Sequence, residues 1–237
     1  MTDTQEAGSR VNASERRPAL WLLISAVVLF VVLGAVLLAR MKGAGPTVPA
    51  ATKATKQEAT SLYNKGDFKK ALPKFSAYVQ GHPTDSGSRS MLASSYWLSG
   101  KPNQALSEFL LLLKDKPKDA ETLYKVGILY QQMQKPALST SYLRKAVAAN
   151  SKTPLFRVEL AKALTREKQY AAAVTQWKQA IALSPANQKY QSLIYAQLGD
   201  TYSLSKDKPK AKDSYGKALE LDADNGYAQE QLKKLGG

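Results

Sequence analysis

Chemistry in this chain would have to start from a single imidazole, His82, which stands directly before Pro83. One histidine cannot build a multi-histidine metal site within one chain, and its place in a Pro-containing turn predicts a solvated side chain. The sequence contains no Cys, so disulfides, thiolate metal sites and a thiol nucleophile are excluded. Asp67, Asp119 and Glu121 fall where helices are expected to begin. There the helix dipole favours negative charge, so capping rather than acid–base work is the expected role. No Gly-rich phosphate loop, Ser-His-Asp set or carboxylate pair in apolar surroundings is found. Gly127 and Gly199 are explained by close helix packing rather than by a ligand. The chain is therefore expected not to be an enzyme, with no catalytic residue, no cofactor and no metal.

Charge is the next candidate for function. The formal net charge is +15 over 237 residues, and from Thr52 onward 29 Lys and Arg face 16 Asp and Glu. The lysines are dispersed apart from Lys114, Lys116, Lys118 and Lys206, Lys208, Lys210, Lys212, both beside expected inter-helix turns. They read as solvated faces with a weak attraction for acidic partners or lipid headgroups. Neither cluster resembles a nucleic-acid motif, and no nucleic-acid partner is expected.

What must position any functional residue is a repeat. Gly66 to Pro83 returns at Gly100 to Pro117 with Gly66/Gly100, Ala71/Ala105, Phe75/Phe109 and Pro83/Pro117 all 34 residues apart. Leu92, Val126 and Leu160 keep the step, as do Ala93, Gly127 and Ala161. A fifth unit follows after 38 residues, pairing Ala173 with Ala211, Trp177 with Tyr215 and Ala180 with Ala218. The four extra residues fall around Gln188 to Gln191 and should lie between hairpins or lengthen a helix. A small residue, an aromatic four later and a proline eight after that suit a helical hairpin: alanine admits a close crossing, the ring fills the space beside it, and proline stops the chain.

The pattern resembles the tetratricopeptide repeat family, a 34-residue helix-turn-helix. Tyr195, Leu198, Gly199 and Tyr202 followed by Ala211, Tyr215 and Ala218 carry the resemblance in the fifth unit. Leu123, Val126, Gly127, Tyr130, Leu143 and Ala146 carry it in the third, and Leu160, Ala161, Leu164, Ala173, Trp177, Ala180 and Pro185 in the fourth. Ser139 stands where the family prefers alanine, and Ser151 and Ala223 replace the closing proline. The resemblance implies an all-α, right-handed α-solenoid of about five helix-turn-helix units over 52–85, 86–119, 120–153, 154–187 and 192–225. A capping helix follows over 226–237, where Tyr227, Leu232 and Leu235 punctuate a polar stretch. It also implies a concave groove lined by first helices, with Lys56, Tyr63, Trp97, Tyr124, Ile128, Val158 and Lys162 facing it. The family's carboxylate clamp is not carried over: Lys56 and Lys125 are present, but Thr60, Met91 and Glu121 stand at other clamp positions.

Ahead of the repeats, residues 1–17 are polar and predict a flexible tail. From Ala19 to Ala39 the chain has no charge for 21 residues, and a helix of about 20 apolar residues is what crossing a bilayer requires. A transmembrane helix over 18–40 is expected, with Trp21 at one interface and Arg40 and Lys42 at the other. A cleaved signal peptide is the competing reading, but its apolar core usually runs only about 7–15 residues. Residues 41–55, with Pro46 and Pro49, predict an extended linker. Arg16-Arg17 ahead of the span and the large domain behind it resemble a bacterial signal anchor. That predicts a single-pass inner-membrane protein with its repeats outside the cytoplasm.

Two functions fit. The first is a membrane-anchored scaffold or adaptor that binds a protein or peptide in the groove, in assembly of an envelope complex. The second is a chaperone-like holder of unfolded or translocating polypeptides at the membrane. Aromatic and aliphatic side chains mixed with lysine suit a peptide with apolar anchors and acidic character.

Overall fold

Apolar residues at three- and four-residue spacing, broken at regular steps by glycine, proline or Asx residues, dictate short amphipathic helices. A computed structural model describes residues 53–184 and 186–236. The expected tail, the expected membrane span, residues 41–52 of the linker expected over 41–55 and Pro185 lie outside the described residues; the last three linker residues, 53–55, are not extended but open the first helix. Among the described residues there are eleven helices and no strand: α1 (Lys53–Asn64), α2 (Phe68–Gly81), α3 (Ser86–Leu98), α4 (Pro102–Asp115), α5 (Ala120–Gln132), α6 (Pro136–Ala149), α7 (Pro154–Arg166), α8 (Tyr170–Leu183), α9 (Gln188–Leu204), α10 (Lys208–Leu221) and α11 (Gly226–Lys234). None of these is long and apolar enough to cross a membrane.

Odd-numbered helices are the first and even-numbered the second members of successive hairpins. Each second helix packs on its own partner and on the first helix of the next hairpin. No hairpin alone can cover its apolar face, so stacking supplies the core. The four extra residues lengthen a helix: α9 has 17 residues where α3, α5 and α7 have 13.

Turns inside and between hairpins are built differently. Within each hairpin one residue takes a positive φ, at Gly66 (81°), Gly100 (76°), Gln134 (55°), Lys168 (60°) and Lys206 (66°). The following residue then donates back to the helix it leaves, as in Asp67 N to Leu62 O, Lys135 N to Tyr130 O and Asp207 N to Tyr202 O, each 2.9 Å. These bonds satisfy carbonyls that the helix end would leave open. At four of the five turns between hairpins a side chain caps the next helix: Asp85 accepts from Ser88 N, Asp119 from Thr122 N, Asn187 from Tyr190 N and Asn225 from Ala228 N, whereas Thr153 ahead of α7 makes no such bond; inside hairpins only Asp207 caps in this way, accepting from Lys210 N. Asp67, expected as a cap, occupies the N-cap position of α2 but accepts no cap bond. Its carboxylate is turned to the Lys70 ammonium instead, at 3.4 Å. Pro102 and Pro136 open α4 and α6, where a missing N–H leaves nothing unsatisfied.

The core is one crossing repeated. Phe75, Phe109, Leu143, Trp177 and Tyr215 are no more than 2% exposed, and Ala59, Ala93 and Ala161 are completely buried. Gly127 and Gly199 hold the corresponding position in α5 and α9. A Cβ on Gly127 would lie 2.8 Å from Leu143 Cγ, and one on Gly199 would lie 2.6 Å from Tyr215 Cε1. The helices approach there closer than an alanine permits.

Candidate functional site

One face of the array is defined by contacts that run from first helix to first helix. Lys56 Nζ meets Asp85 at 2.6 Å, at the start of α3. Trp97 of α3 donates its indole N–H to Gln132 Oε1 of α5 at 2.7 Å. Tyr124 of α5 stacks on Phe156 of α7, with centroids 5.1 Å apart. Thr165 of α7 lies 3.0 Å from Thr201 of α9, and Tyr227 of α11 donates to Asp200 of α9 at 2.8 Å.

Helical spacing of four, three and four residues gathers one stripe per first helix on this face. In α5 the stripe reads Glu121, Lys125, Ile128, Gln132; in α7, Leu155, Glu159, Lys162, Arg166; in α9, Leu193, Gln197, Asp200, Leu204. At one or other end of it, several repeats place an uncovered apolar side chain. Leu155, Leu193 and Tyr227 hold one repeat position and are 41, 60 and 46% exposed, while Leu98 and Leu204 hold another at 55 and 57%. An exposed leucine alone needs no explanation, but a series at fixed repeat positions is a surface.

Electrostatics fix the face at both ends. The Lys56 ammonium, followed by the Ser88 backbone N–H, holds the Asp85 carboxyl down at about 2, and that hydrogen bond raises Lys56. Burial first, and then the Glu159 charge, pushes the Tyr124 phenol up to about 12, and the same two causes raise Tyr190. Glu159 is held in turn by Lys162 at 2.8 Å. Burial, with the bond to Asp200 second, lifts Tyr227 to about 12 and raises Tyr215 as well. Asp200 Oδ1 accepts from both of those hydroxyls, at 2.7 and 2.8 Å.

The seven residues named from the sequence are not equivalent. Lys56 and Lys162 are half-buried and ion-paired. Tyr63 packs edge-on against Phe68 and Phe75, with centroids at 5.3 and 6.3 Å. Trp97 stands edge-on to Phe109 at 6.5 Å, and Ile128 leans on the core between α7 and α8. Tyr124 is half-buried, and Val158, only 7% exposed, offers almost no surface. Sequence reasoning passed over Arg166, Tyr190, Leu193 and Leu204. The signal was available for three of them: Leu98, Gln132, Arg166 and Leu204 share one repeat position, and Leu155, Leu193 and Tyr227 another. Tyr190 belongs to the extra turn of α9 and has no counterpart elsewhere.

Family models described as tetratricopeptide repeat match residues 124–188 and 193–225. Over those residues the hairpins are tetratricopeptide repeats. Solved structures of the same architecture include YrrB, described as a TPR protein with an unusual peptide-binding site. It matches with a TM-score of 0.66 at 18% identity over 76% of this chain and 90% of that one. MamA from Desulfovibrio magneticus RS-1 matches with a TM-score of 0.67 at 18% identity, over 77% of this chain and 98% of that one. At such identity the likeness establishes the fold of the tetratricopeptide array alone. DnaJ homolog subfamily C member 3 of Gallus gallus is 24% identical over 140 residues, 54% of this chain, and the match spans 28% of its own length. Tetratricopeptide repeats mediate protein–protein interaction.

Proposed function

We propose that this chain is a non-catalytic scaffold, moored to a membrane by residues 19–39, that holds a segment of a partner protein along the first-helix face of its repeats. The observation that carries the reading is the pair of exposed apolar series, Leu155–Leu193–Tyr227 and Leu98–Leu204, bordering a row of polar groups. Apolar anchors supply affinity, and the polar row between them selects the register of an extended or helical segment. The uncharged run from Ala19 to Ala39 supports the mooring, and the flanking Arg16-Arg17 supports a bacterial inner membrane with the repeats outside the cytoplasm.

The test places a photoreactive residue at Leu193 or Leu204 in the intact membrane-bound protein, with Leu111 on the second helix α4 as the control. A scaffold gives one or a few stoichiometric adducts from positions 193 and 204 and none of them from 111. Equal labelling from all three positions would sink the reading. Exposed leucines without a continuous groove would also serve the second function, a holder of unfolded or translocating chains. In that case the adducts are many, and refolding releases them. Protease protection in spheroplasts reports the side on which the repeats lie.

A further inference from the structure

Resting on this reading, we infer that a pocket at the turn end of the third and fourth repeats receives a carboxylate of the bound polypeptide. The pocket, about 500 Å³, is lined by Gln131, Gln132, Gln134, Pro136, Ser139, Ala163 and Arg166. Ser139 is the anomaly. The equivalent position in the other four repeats is Ala71, Ala105, Ala173 or Ala211, all completely buried. Ser139 is 1% exposed, yet its hydroxyl has no hydrogen-bond partner among the described residues. A buried hydroxyl without a partner destabilises the fold, and alanine at this site would do the packing without that penalty. Ser139 lines the pocket, so a ligand seated there is what its hydroxyl would bond.

The remaining lining groups supply donors in excess of acceptors. The Gln131 carboxamide oxygen accepts from the Arg166 guanidinium, which leaves its NH2 free to donate. Gln132 Oε1 is taken by the Trp97 indole, so its NH2 is likewise free. No carboxylate among the described residues pairs with Arg166. The guanidinium N–H groups that Gln131 leaves free, two amide NH2 groups and a serine hydroxyl make the pocket cationic and rich in donors, which matches a planar anion with two acceptor oxygens, a carboxylate. Leu98 and Leu204 occupy the position of Arg166 in the second and fifth repeats, so the acid would lie between apolar anchors. The carboxylate could belong to an Asp or Glu side chain or to a chain terminus. None of the lining residues holds a clamp position of the family.

The experiment probes the full chain with two arrays of the same random twelve-residue peptides, one amide-terminated and one with free carboxyl ends. Peptides retained on the amidated array should carry Asp or Glu beside apolar residues, or retention should require the free terminus; the two arrays separate the sources. Arg166→Gln should weaken the acid-bearing peptides about tenfold or more and leave uncharged ones unchanged. Ser139→Ala should weaken the same peptides roughly threefold while raising the melting temperature, a pairing that a purely structural serine would not give. Retention indifferent to carboxylates, or a uniform loss in both variants, overturns the inference and leaves the scaffold standing. Retention of no peptide at all overturns both.

Discussion

The first two repeats and the third and fifth place their glycines at opposite ends of the hairpin. In the first two, Gly66 and Gly100 take the left-handed turn, while Ala59 and Ala93 sit at the helix crossing. In the third and fifth, Gly127 and Gly199 sit at the crossing, and the left-handed turn falls to Gln134 and Lys206. The fourth, with Ala161 and Lys168, has glycine at neither. Each hairpin needs one small residue and one residue with φ near +60°, but the demands differ in strictness. At Gly199 a Cβ would overlap a ring, whereas at Gly100 nothing lies within 4 Å and only backbone strain opposes a side chain.

The sharpest way to break that contrast is Gly199→Ala. The Tyr215 ring cannot move aside because its hydroxyl is held by Asp200 at 2.7 Å, so about 1–3 kcal/mol should be lost, read as a fall of several degrees in melting temperature. Gly127→Ala should cost less, because the aliphatic Leu143 has rotamers to give. An unchanged melting temperature in Gly199→Ala would mean that the crossing tolerates an alanine. Next comes the turn: Gly100→Ala should destabilise by roughly 1 kcal/mol, and Lys206→Gly should stabilise by up to about 1 kcal/mol. Denaturant midpoints moving the same way in both would refute a purely backbone origin.

Asp85 tests the other kind of turn, the capped one. Its folded-state pKa is depressed from 3.8 to about 2, so its contribution is whole above the unfolded value and disappears as pH falls through about 2. Asp85→Asn should flatten the pH dependence of unfolding between about pH 4 and 2, while Asp85→Ala should also lose about 1 kcal/mol of cap at neutral pH. The smallest change in stability, within about 0.5 kcal/mol, is expected from Leu193→Ser with Leu204→Ser, since both side chains are exposed. The same pair should abolish the adducts formed from a photoreactive residue at Leu155 on the same face, and stable protein with undiminished adducts would remove the apolar series from the site.

The period was legible because it is written in the buried skeleton, and Ala71, Phe75, Trp177 and Ala180 can vary little without opening a cavity. The left-handed turns were half legible: Gly66 and Gly100 announce them, but a glutamine or lysine at positive φ carries no sign of it in its residue type. The site was least legible. Val158 shares its repeat position with Tyr124, yet one is buried and the other half-exposed, because what covers a side chain is decided by the neighbouring first helix. Tyr190 stood on an insertion, where a periodic argument has nothing to align.

Asp200 has a consequence for how the array comes apart. Its Oδ1 takes hydroxyls from Tyr215 on α10 and Tyr227 on α11, and nearby Ser192 bridges the Ala218 carbonyl and the Asn225 amide. Arrays of this kind unravel from their tips, where each terminal helix has neighbours on one side only. Here the last helix is latched past its neighbour to the one before, so the final three must let go together. The fraying end is a hairpin and a half thick rather than a single strip.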